Sequence, residues 1–431
     1  MASAAAAYSS ASAEERIRAL VDGASSPKVE SHGHLLRARV TIAGRGVWLA
    51  ATDPSHVRGA IGVEEARALS DVMASAAAGG GAVVLLLDSA GARVDQGLAA
   101  LGAFRQLCAQ VLRARAQHVP MLALLGRWCF GGASLLAALC DRRSYLSQTL
   151  LATSGPTVIE SAVGKDAFDA DDRSAVRDLM GSSARVKWHL RDAIRIDSLE
   201  DSRAAVESFL VVERASNTGP VQALSMLAER LETDVAPTSE GRDIDAERVR
   251  ALLPPGYVPS LAKHAFRALP PPASRKAVFL GSLGGAPVGA RECVLLSRWI
   301  LELPSTHPDS ALVLLLDAEG HAATVADERV LLADYLAHLS LSIAHVAQRG
   351  NRSVLWIPGS ASGASYVAFA APVDRVSALS SARISILPDA SARRIVGDGA
   401  VPSTNENWID AGVADALLDA RLRRYAFENQ Q

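Results

Sequence analysis

The sequence predicts an α/β fold in two tandem domains, and the main indication is a block that occurs twice. VVLLLDSAGAR around Asp88 and LVLLLDAEGH around Asp317 are apolar runs that end in an aspartate and a turn. In each half a second apolar run and a small-residue turn follow, LALLGRWCFGGAS and VLWIPGSASGAS. Asp88 and Gly131 are 43 positions apart, and Asp317 and Gly363 are 46 apart. A block that recurs with its spacing nearly kept indicates a repeated structural unit.

Helices and strands alternate along the first half. Short, wholly apolar runs are typical of parallel strands that are covered on both faces, and a glycine cluster such as 79–81 ends a helix. Alternation with short connections predicts βαβ units. The predicted elements are a helix over 13–24, two strands within 35–51 around a turn at 43–46, a helix over 63–77, a strand over 83–87, a helix over 98–117, a strand over 120–125 and a helix over 133–139.

The middle of the chain has a different composition and predicts a domain junction. After an amphipathic helix over 221–231, prolines become dense enough to disfavour continuous helix or sheet. The second block is then expected to contain helices over 290–303 and 328–347 and strands over 311–315 and 353–357. The predicted domains are therefore 12–217 and 276–425, joined by a helical, proline-rich linker over 218–275.

Composition excludes several classes of function. The 431 residues carry a net charge of −2 without a basic block, which argues against nucleic acid as a partner. No apolar run is long enough for a membrane span, and the start of the chain lacks the features of a signal peptide. The four cysteines are far apart, so we expect no metal site and a cytoplasmic location.

The turns after the repeated strands could provide hydrogen-bond donors for an anion. Gly91 and Ala92 allow close approach of a ligand to the backbone, and Gly131-Gly132 opens a helix whose first N–H groups lack partners. Such amides can stabilise a thioester oxygen that carries negative charge. For a lone Gly-Gly, a tight turn without any other role would be the preferred interpretation, but the duplication and the paired spacing favour the oxyanion interpretation.

Several motifs of the first half resemble one known family. DSAGARVDQG (88–97) and SGPTVIE (154–160) are similar to motifs of the carboxyltransferase branch of the crotonase superfamily. RGAIGVEEAR (58–67), CFGG (129–132) and GKDAFDADDR (164–173) more closely resemble the β subunit of biotin-independent malonate decarboxylase. From about residue 277 onward, LADYLAHL (332–339) and SGASYVAFA (362–370) resemble the γ subunit of that enzyme, with Gly363-Ala364 where Gly-Gly is usual.

The resemblance implies two crotonase-like, carboxyltransferase-type domains of the ββα-spiral kind that pack as an intramolecular pseudo-dimer. It implies a carboxy-lyase that decarboxylates a malonyl thioester carried on an acyl carrier protein, through an enolate held by backbone oxyanion holes. No cofactor is expected to be bound covalently, because the partner acyl carrier protein supplies a coenzyme-A-like arm. An acyltransferase subunit is a further candidate partner, and a homodimer is left open.

The site residues are assigned by the repeat and by the resemblance together. The first half is expected to bind the thioester and stabilise the enolate, and the second to shape the carboxylate end and the proton path. The expected catalytic residues are Gly91, Ala92, Gly131, Gly132, Gly363, Ala364, His321 and Ser362. The expected substrate-binding residues are Arg58, Arg93, Cys129, Phe130, Ser154, Gly155, Pro156 and Ser360.

Two other functions remain open from the sequence. The chain could transfer the malonyl carboxylate to a biotin carrier protein, since the fold would be the same and only the acceptor would differ. It could also be a non-catalytic scaffold subunit in which the altered second half has lost its chemistry. For His321, Ser360 and Ser362, a capping or solvated polar role is the simpler alternative to catalysis.

Overall fold

The computed structural model describes residues 7–23, 27–188, 192, 196–212, 219–233, 244–271, 277–388, 391 and 407–418. The chain divides into two compact units. The first unit contains Met1–Gln96, Gln106–Thr218 and Ala323–Asp334, and the second contains Gly97–Arg105, Gly219–Ala322 and Tyr335–Gln431. In the part of the chain described here, no helix is both long and apolar enough to cross a membrane.

A mostly parallel sheet forms the centre of the first unit. Its strands run in the order β1-β2-β3-β4-β5-β6, with β7 paired to the end of β5. The pairs from β3 to β6 are parallel, as the apolar runs predict, and every residue of β4 is buried. The strands up to β7 are β1 Glu30–His32, β2 Leu35–Ile42, β3 Arg45–Thr52, β4 Ala82–Ser89, β5 Met121–Phe130, β6 Arg142–Tyr145 and β7 Leu150–Ala152.

The helices between and after these strands agree with the predicted positions to within a few residues. The first one ends at Leu20, earlier than predicted, because Val21 is extended and caps it; Ala24 lies outside the described residues. The helices up to the junction are α1 Ala13–Leu20, α2 Val63–Gly79, α3 Gly97–Ala116, α4 Gly132–Ala138, α5 Pro156–Val163, α6 Arg173–Met180, α7 Ser182–Val186 and α8 Leu199–Val212.

A second sheet forms the centre of the second unit, with strand order β16-β14-β12-β11-β10-β9-β8. Two short strands, β13 and β15, pair in parallel and form a separate two-stranded sheet. The strands are β8 Val258–Ala262, β9 Ala265–Leu269, β10 Ala277–Gly285, β11 Ala311–Ala318, β12 Ser353–Ile357, β13 Ser360–Ser362, β14 Arg375–Leu379, β15 Arg383–Ser385 and β16 Ala416–Leu418. The helices are α9 Pro220–Thr233, α10 Ala246–Leu252, α11 Ala290–Thr306, α12 Val325–Arg329, α13 Leu332–Ala347 and α14 Gly363–Ala370, of which α12 belongs to the first unit.

The second sheet begins inside the stretch that the sequence predicts to be a linker. β8 and β9 form an antiparallel hairpin, and β9 pairs with β10. The hairpin accommodates Pro259 because β8 is an edge strand, where a missing N–H leaves no ladder bond unmade. Proline density in this stretch therefore marks a sheet edge as well as a junction.

The predicted helix over 328–347 is wrong, because two helices occupy this region. α12 ends at Arg329 and α13 begins at Leu332. Between them Leu331 has a φ of 62°, a left-handed conformation that cannot continue a helix. The unbroken apolar pattern of the sequence gives no indication of this break.

The two units repeat one another element by element. In each, a short helix (α1 or α10) precedes an antiparallel pair, and a third strand then continues into the parallel strands. The aspartate near the end of the second parallel strand is paired with an arginine of that short helix in both copies. Arg16 Nη1 lies 3.4 Å from Asp88 Oδ2, and Arg248 Nη2 lies 2.6 Å from Asp317 Oδ2. The structural repeat thus starts earlier than the repeated sequence block, because α1 begins 70 residues before Val83 and α10 begins 66 residues before Leu312.

We predict that Arg16→Leu lowers the free energy of unfolding by roughly 3 kcal/mol, because it removes the nearer guanidinium from the fully buried Asp88 carboxylate and leaves only Arg127, whose Nε is 3.8 Å away. Arg248→Leu is the matched control and should cost less, since the Arg248 side chain is 55% exposed and its charge is screened. Denaturant unfolding of both variants measures the difference. Equal losses would contradict this account of the two pairs.

Candidate active site

The two predicted turns of the first unit touch each other. Gly91 follows β4 and Gly131 follows β5, and both have left-handed backbones, with φ of 103° and 55°. A Cβ on Gly91 would lie 2.8 Å from the Phe130 carbonyl oxygen and 3.4 Å from the Gly131 Cα. Only glycine tolerates both the conformation and this approach. The glycines therefore bring the ends of two neighbouring parallel strands into contact.

The hydrogen bonds of these turns leave two amides available. Gly91 N–H donates to Ser89 Oγ at 3.1 Å, and Gly131 N–H donates to the Thr153 carbonyl at 3.1 Å. The amides of Ala92 and Gly132, one residue further on in each turn, have no acceptor among the described residues. Gly132 is also the first residue of α4, where intrahelical partners are missing. These two N–H groups are the donors that the site offers to an anion.

The predicted substrate-binding segment Ser154-Gly155-Pro156 lies against the same turn. β7 pairs with β5 up to Phe130 and Ala152, so the residues that follow both strands are neighbours. The Phe130 ring lies 3.8 Å from the position of a Cβ on Gly155. Pro156 is the first residue of α5, a position for which its fixed φ is suited. The structure thus brings three of the predicted segments together.

A glutamate that the sequence analysis did not select holds this segment. Glu328 is fully buried, and its carboxylate accepts the Ser154 N–H at 2.6 Å and the Thr153 N–H at 3.1 Å. Burial raises the pKa of Glu328 to about 7, against the opposing effects of Arg185 and the two amides. Arg185 is also fully buried and donates to the Glu328 carbonyl at 2.6 Å. Thr324, which caps α12, is the sequence feature that could have drawn attention to this short helix.

Two arginines flank an indole beside the Gly131 turn. The guanidinium carbons of Arg58 and Arg127 lie 5.2 and 4.6 Å from the Trp128 ring centroid. Arg58 has a φ of 54°, and its carbonyl is held by Trp128 Nε1–H at 3.2 Å and by Ala90 N–H at 3.0 Å. A strained residue held by several bonds is a feature of functional sites. Arg58 was predicted from the sequence, whereas Arg127 and Trp128 were not.

Two other predicted residues occupy different surroundings. Arg93 pairs with Asp95, whose carboxylate lies 3.1 Å from Arg93 Nε and raises the pKa of the guanidinium. Cys129 is fully buried within β5, and burial raises the pKa of its thiol. Its side chain therefore packs in the core, and only its backbone borders the turn.

The second unit contains an equivalent pair of turns. Val288 N–H donates to the Gly320 carbonyl at 2.8 Å, as Ile61 N–H does to the Gly91 carbonyl at 2.8 Å. This register makes His321 the counterpart of Ala92. Gly363 has a φ of 58° and opens α14, as Gly131 precedes α4, so Ala364 is the counterpart of Gly132.

Polar side chains surround the turns of the second unit. The His321 Nδ1 atom lies 3.4 Å from the position of a Cβ on Gly363. Burial lowers the pKa of His321 to about 4, so the imidazole is neutral at pH 7. Ser362 Oγ donates to the Glu319 carbonyl at 2.6 Å, and Ser360 N–H donates to Asp317 Oδ1 at 2.8 Å. Within the described ranges, no group of three or more His, Cys, Asp or Glu side chains could hold a metal ion.

Comparison with known proteins places this geometry in a family. The model of the carboxyl transferase domain matches residues 33–287, more than half of the chain. The chain belongs to the carboxyl transferase domain family. The model of the malonate decarboxylase gamma subunit matches residues 284–400. Together they confirm the predicted order, a carboxyltransferase-type part followed by a γ-subunit-like part, and the predicted α/β fold class.

Individual relatives match over parts of their length. The methylmalonyl-CoA carboxyltransferase 12S subunit of Propionibacterium freudenreichii subsp. shermanii is 27% identical over 49% of this chain and 38% of its own. The malonyl-S-ACP:biotin-protein carboxyltransferase of Malonomonas rubra is 36% identical over 21% of this chain and 28% of its own. The chain therefore spans less than two fifths of these relatives. A Pseudomonas malonate decarboxylase hetero-tetramer in complex with malonate aligns with a TM-score of 0.48 and 22% identity, over 55% of this chain and 94% of the aligned one.

We predict that the difference in the free energy of unfolding between the wild type and Glu328→Gln changes with pH between 4.5 and 7. Because the pKa of Glu328 in the folded chain is raised from 4.5 to about 7, the folded state keeps a proton that the unfolded state loses. The free energy of unfolding should therefore fall as pH rises from 4.5 to 7. Relative to Glu328→Gln, the wild type should lose about 3 kcal/mol over this window. Denaturant unfolding at both pH values tests this, and a difference that stays constant or changes in the opposite direction would contradict it.

Proposed function

We propose that the chain decarboxylates a malonyl thioester carried on an acyl carrier protein, giving the acetyl thioester and CO₂. The observation that carries this proposal is the pair of available amides at Ala92 and Gly132, where two strand ends meet in a member of a carboxyltransferase family. The match to the malonate decarboxylase gamma subunit supports malonyl as the acyl group.

The two amides suit the intermediate that decarboxylation requires. When the bond between the α-carbon and the carboxylate carbon breaks, its electron pair moves into an enolate and CO₂ leaves. The negative charge develops on the thioester oxygen, and a proton must then be added to the α-carbon. A preorganised backbone donor is worth roughly 3 kcal/mol to such a transition state. We assign enolate stabilisation to Ala92 and Gly132, and thioester binding to the neighbouring segment 154–156.

The second unit suits the carboxylate end. At the positions of Ala92 and Phe130 it has His321 and Ser362, which are polar. With a pKa of about 4, the His321 imidazole is uncharged at pH 7 and does not stabilise the carboxylate form that must be lost as CO₂. A neutral imidazole can still accept or donate a hydrogen bond along a proton path. Ala364 retains its N–H, so this turn keeps a backbone donor beside these polar side chains.

The cations around Trp128 suit the carrier arm. A coenzyme-A-like arm carries phosphate, which guanidinium groups bind well. Arg127 is 42% exposed at its side chain, and its guanidinium lies over the same indole as that of Arg58. We propose that this pair receives the phosphate of an arm supplied by an acyl carrier protein. None of the four cysteines, all of which lie in the described ranges, forms a disulfide, which is compatible with the proposed cytoplasmic location.

Carboxyl transfer to a biotin carrier protein is the second candidate, because the Malonomonas rubra relative carries that activity in its name. The enolate and the oxyanion donors would be the same. The difference is the fate of CO₂, which would form a bond to a ureido nitrogen of biotin instead of leaving, while the proton lost from that nitrogen would go to the α-carbon of the enolate. The scaffold alternative requires that neither reaction takes place.

The deciding experiment supplies the purified chain with malonyl carrier protein or malonyl-CoA, with and without a biotin carrier protein. We expect CO₂ and acetyl carrier protein without biotin, and no turnover by Gly132→Val, whose side chain would fill the space of the thioester oxygen. Gly132→Ala keeps the N–H but adds a methyl group that would displace the oxygen from this donor, so it should lower kcat by on the order of 10²-fold, whereas Ala364→Gly should not. Turnover that needs the biotin protein would establish transfer, and none in either case would favour the scaffold. Greater sensitivity at 364 would reverse the roles of the two turns.

We also predict that Arg58→Ala raises KM for malonyl carrier protein up to about fivefold and changes kcat little, since one partly exposed ion pair contributes up to about 1 kcal/mol. Arg39→Ala is the matched control, because Arg39 lies 5.3 Å from the Trp48 ring in the same unit. The KM effect should shrink as salt is raised. An equal effect of Arg39→Ala would mean that general charge, and not Arg58, attracts the carrier.

A further inference from the structure

Residues 323–334 form an arm that belongs to the first unit although it follows β11 of the second repeat. Val325 packs against the apolar cluster that contains Phe130 and Ile159. Two buried arginines bind the arm. Arg185 Nη1 donates to the Glu328 carbonyl at 2.6 Å, and Arg143 Nη1 donates to Asp334 Oδ1 at 2.6 Å. The arm is therefore hydrogen-bonded to the rest of the first unit at two points, at Glu328 in α12 and at its last residue, Asp334.

The Glu328 carboxylate has a different task from these anchors. Its two oxygens accept consecutive backbone amides, those of Thr153 and Ser154, and its nearest guanidinium nitrogen, on Arg185, is 4.0 Å away. β7 ends at Ala152, so these amides lie past the strand ladder and need another acceptor. Burying a carboxylate is costly. An anchor alone could use an apolar side chain, whereas holding two adjacent N–H groups requires two acceptor oxygens.

The amides held by Glu328 are connected directly to the Gly131 turn. The Thr153 carbonyl belongs to the same peptide group as the Ser154 N–H, and it accepts the Gly131 N–H at 3.1 Å. This bond fixes the peptide before Gly131 in a turn whose next amide, that of Gly132, is left without an acceptor among the described residues. A shift of the Thr153–Ser154 segment would therefore be transmitted to the direction of the Gly132 N–H.

We propose that Glu328 is a positioning residue for the oxyanion turn: it fixes Thr153 and Ser154, and through the Thr153 carbonyl it orients the Gly131–Gly132 peptide. The catalytic part of this inference rests on the proposed function, because it takes the Gly132 amide as a donor to the enolate. The structural part does not depend on that function. Misplacement of a donor by a fraction of an ångström to 1 Å is enough to lower a rate by up to 10²-fold.

The test compares Glu328→Gln with Asp327→Asn. Glu328→Gln keeps the shape of the side chain, but its NH₂ group faces one of the two backbone donors. Asp327→Asn changes the neighbouring carboxylate of the same helix, which bonds to Thr324 Oγ1 at 2.6 Å within α12. Glu328→Asp keeps the carboxylate but shortens the side chain by one methylene group, which moves the carboxylate away from the two amides. This variant replaces Glu328→Gln in the test if the glutamine variant does not fold. The readouts are kcat and KM for malonyl carrier protein and hydrogen–deuterium exchange of peptides covering residues 130–135 and 152–155.

We expect Glu328→Gln to lower kcat by 10- to 100-fold with KM changed less than threefold, and to speed exchange in both peptides. Asp327→Asn should leave kcat and exchange close to wild type. Unchanged exchange at 130–135 in a folded Glu328 variant overturns the inference, as does an equal effect of Asp327→Asn. If the wild-type chain acts on no malonyl thioester, the proposed function fails, and the exchange measurement still decides whether Glu328 positions the turn.

Discussion

A buried aspartate at the end of the second parallel strand determines how each unit is built around its site. The Asp88 carboxylate is fully buried, and a Cβ on Gly126 in the neighbouring strand would lie 2.4 Å from its carboxyl carbon. In the second unit a Cβ on Gly359 would lie 2.0 Å from Asp317 Oδ1. Each aspartate thus requires a glycine beside it and an arginine from the preceding short helix.

This constraint positions the turns at the candidate site. Asp88 and Asp317 each lie three residues before a turn glycine, Gly91 or Gly320. The glycine beside each aspartate precedes the second turn, by five residues in the first unit and by four in the second. With the aspartate fixed between the strands, both following turns start from defined points at the carboxyl edge of the sheet. Ligands of open α/β sheets bind at this edge. A buried ion pair that contributes little net stability can be retained for such positional accuracy.

The two copies differ at the turns that follow the repeated strands. Counterparts in the strands and in the aspartate–arginine pair are kept, while Ala92 is replaced by His321, Phe130 by Ser362 and Gly132 by Ala364. The first set is apolar and leaves only backbone donors, which suits an oxygen that gains charge. The second set includes side chains that can form hydrogen bonds with a carboxylate or take part in proton transfer. The two copies therefore share one scaffold and differ in side-chain chemistry at three counterpart positions of the turns.

The sequence predicted features that depend on local pattern. Buried parallel strands appear as apolar runs, and the glycines at 91, 131 and 363 were recognised because the spacing recurs. It could not predict Glu328, because the partner amides of Thr153 and Ser154 are about 175 residues away along the chain and no periodicity marks such a contact. It also merged α12 with α13, since the left-handed Leu331 is an ordinary leucine in the pattern. Long-range polar contacts and single unusual backbone angles are the parts that required the structure.

The position of Glu328 also accounts for the presence of a buried carboxylate in the arm, although its burial is unfavourable. Burial raises the pKa of this carboxyl to about 7, so ionisation is disfavoured in the folded chain. Arg185 offsets only part of this, because burial lowers the pKa of its own guanidinium to about 10. A site selected for stability alone would replace such a pair with apolar residues. Its retention is understandable if two adjacent backbone amides beside the glycine turn must be held by one rigid group, and a glutamate on a short capped helix meets that requirement.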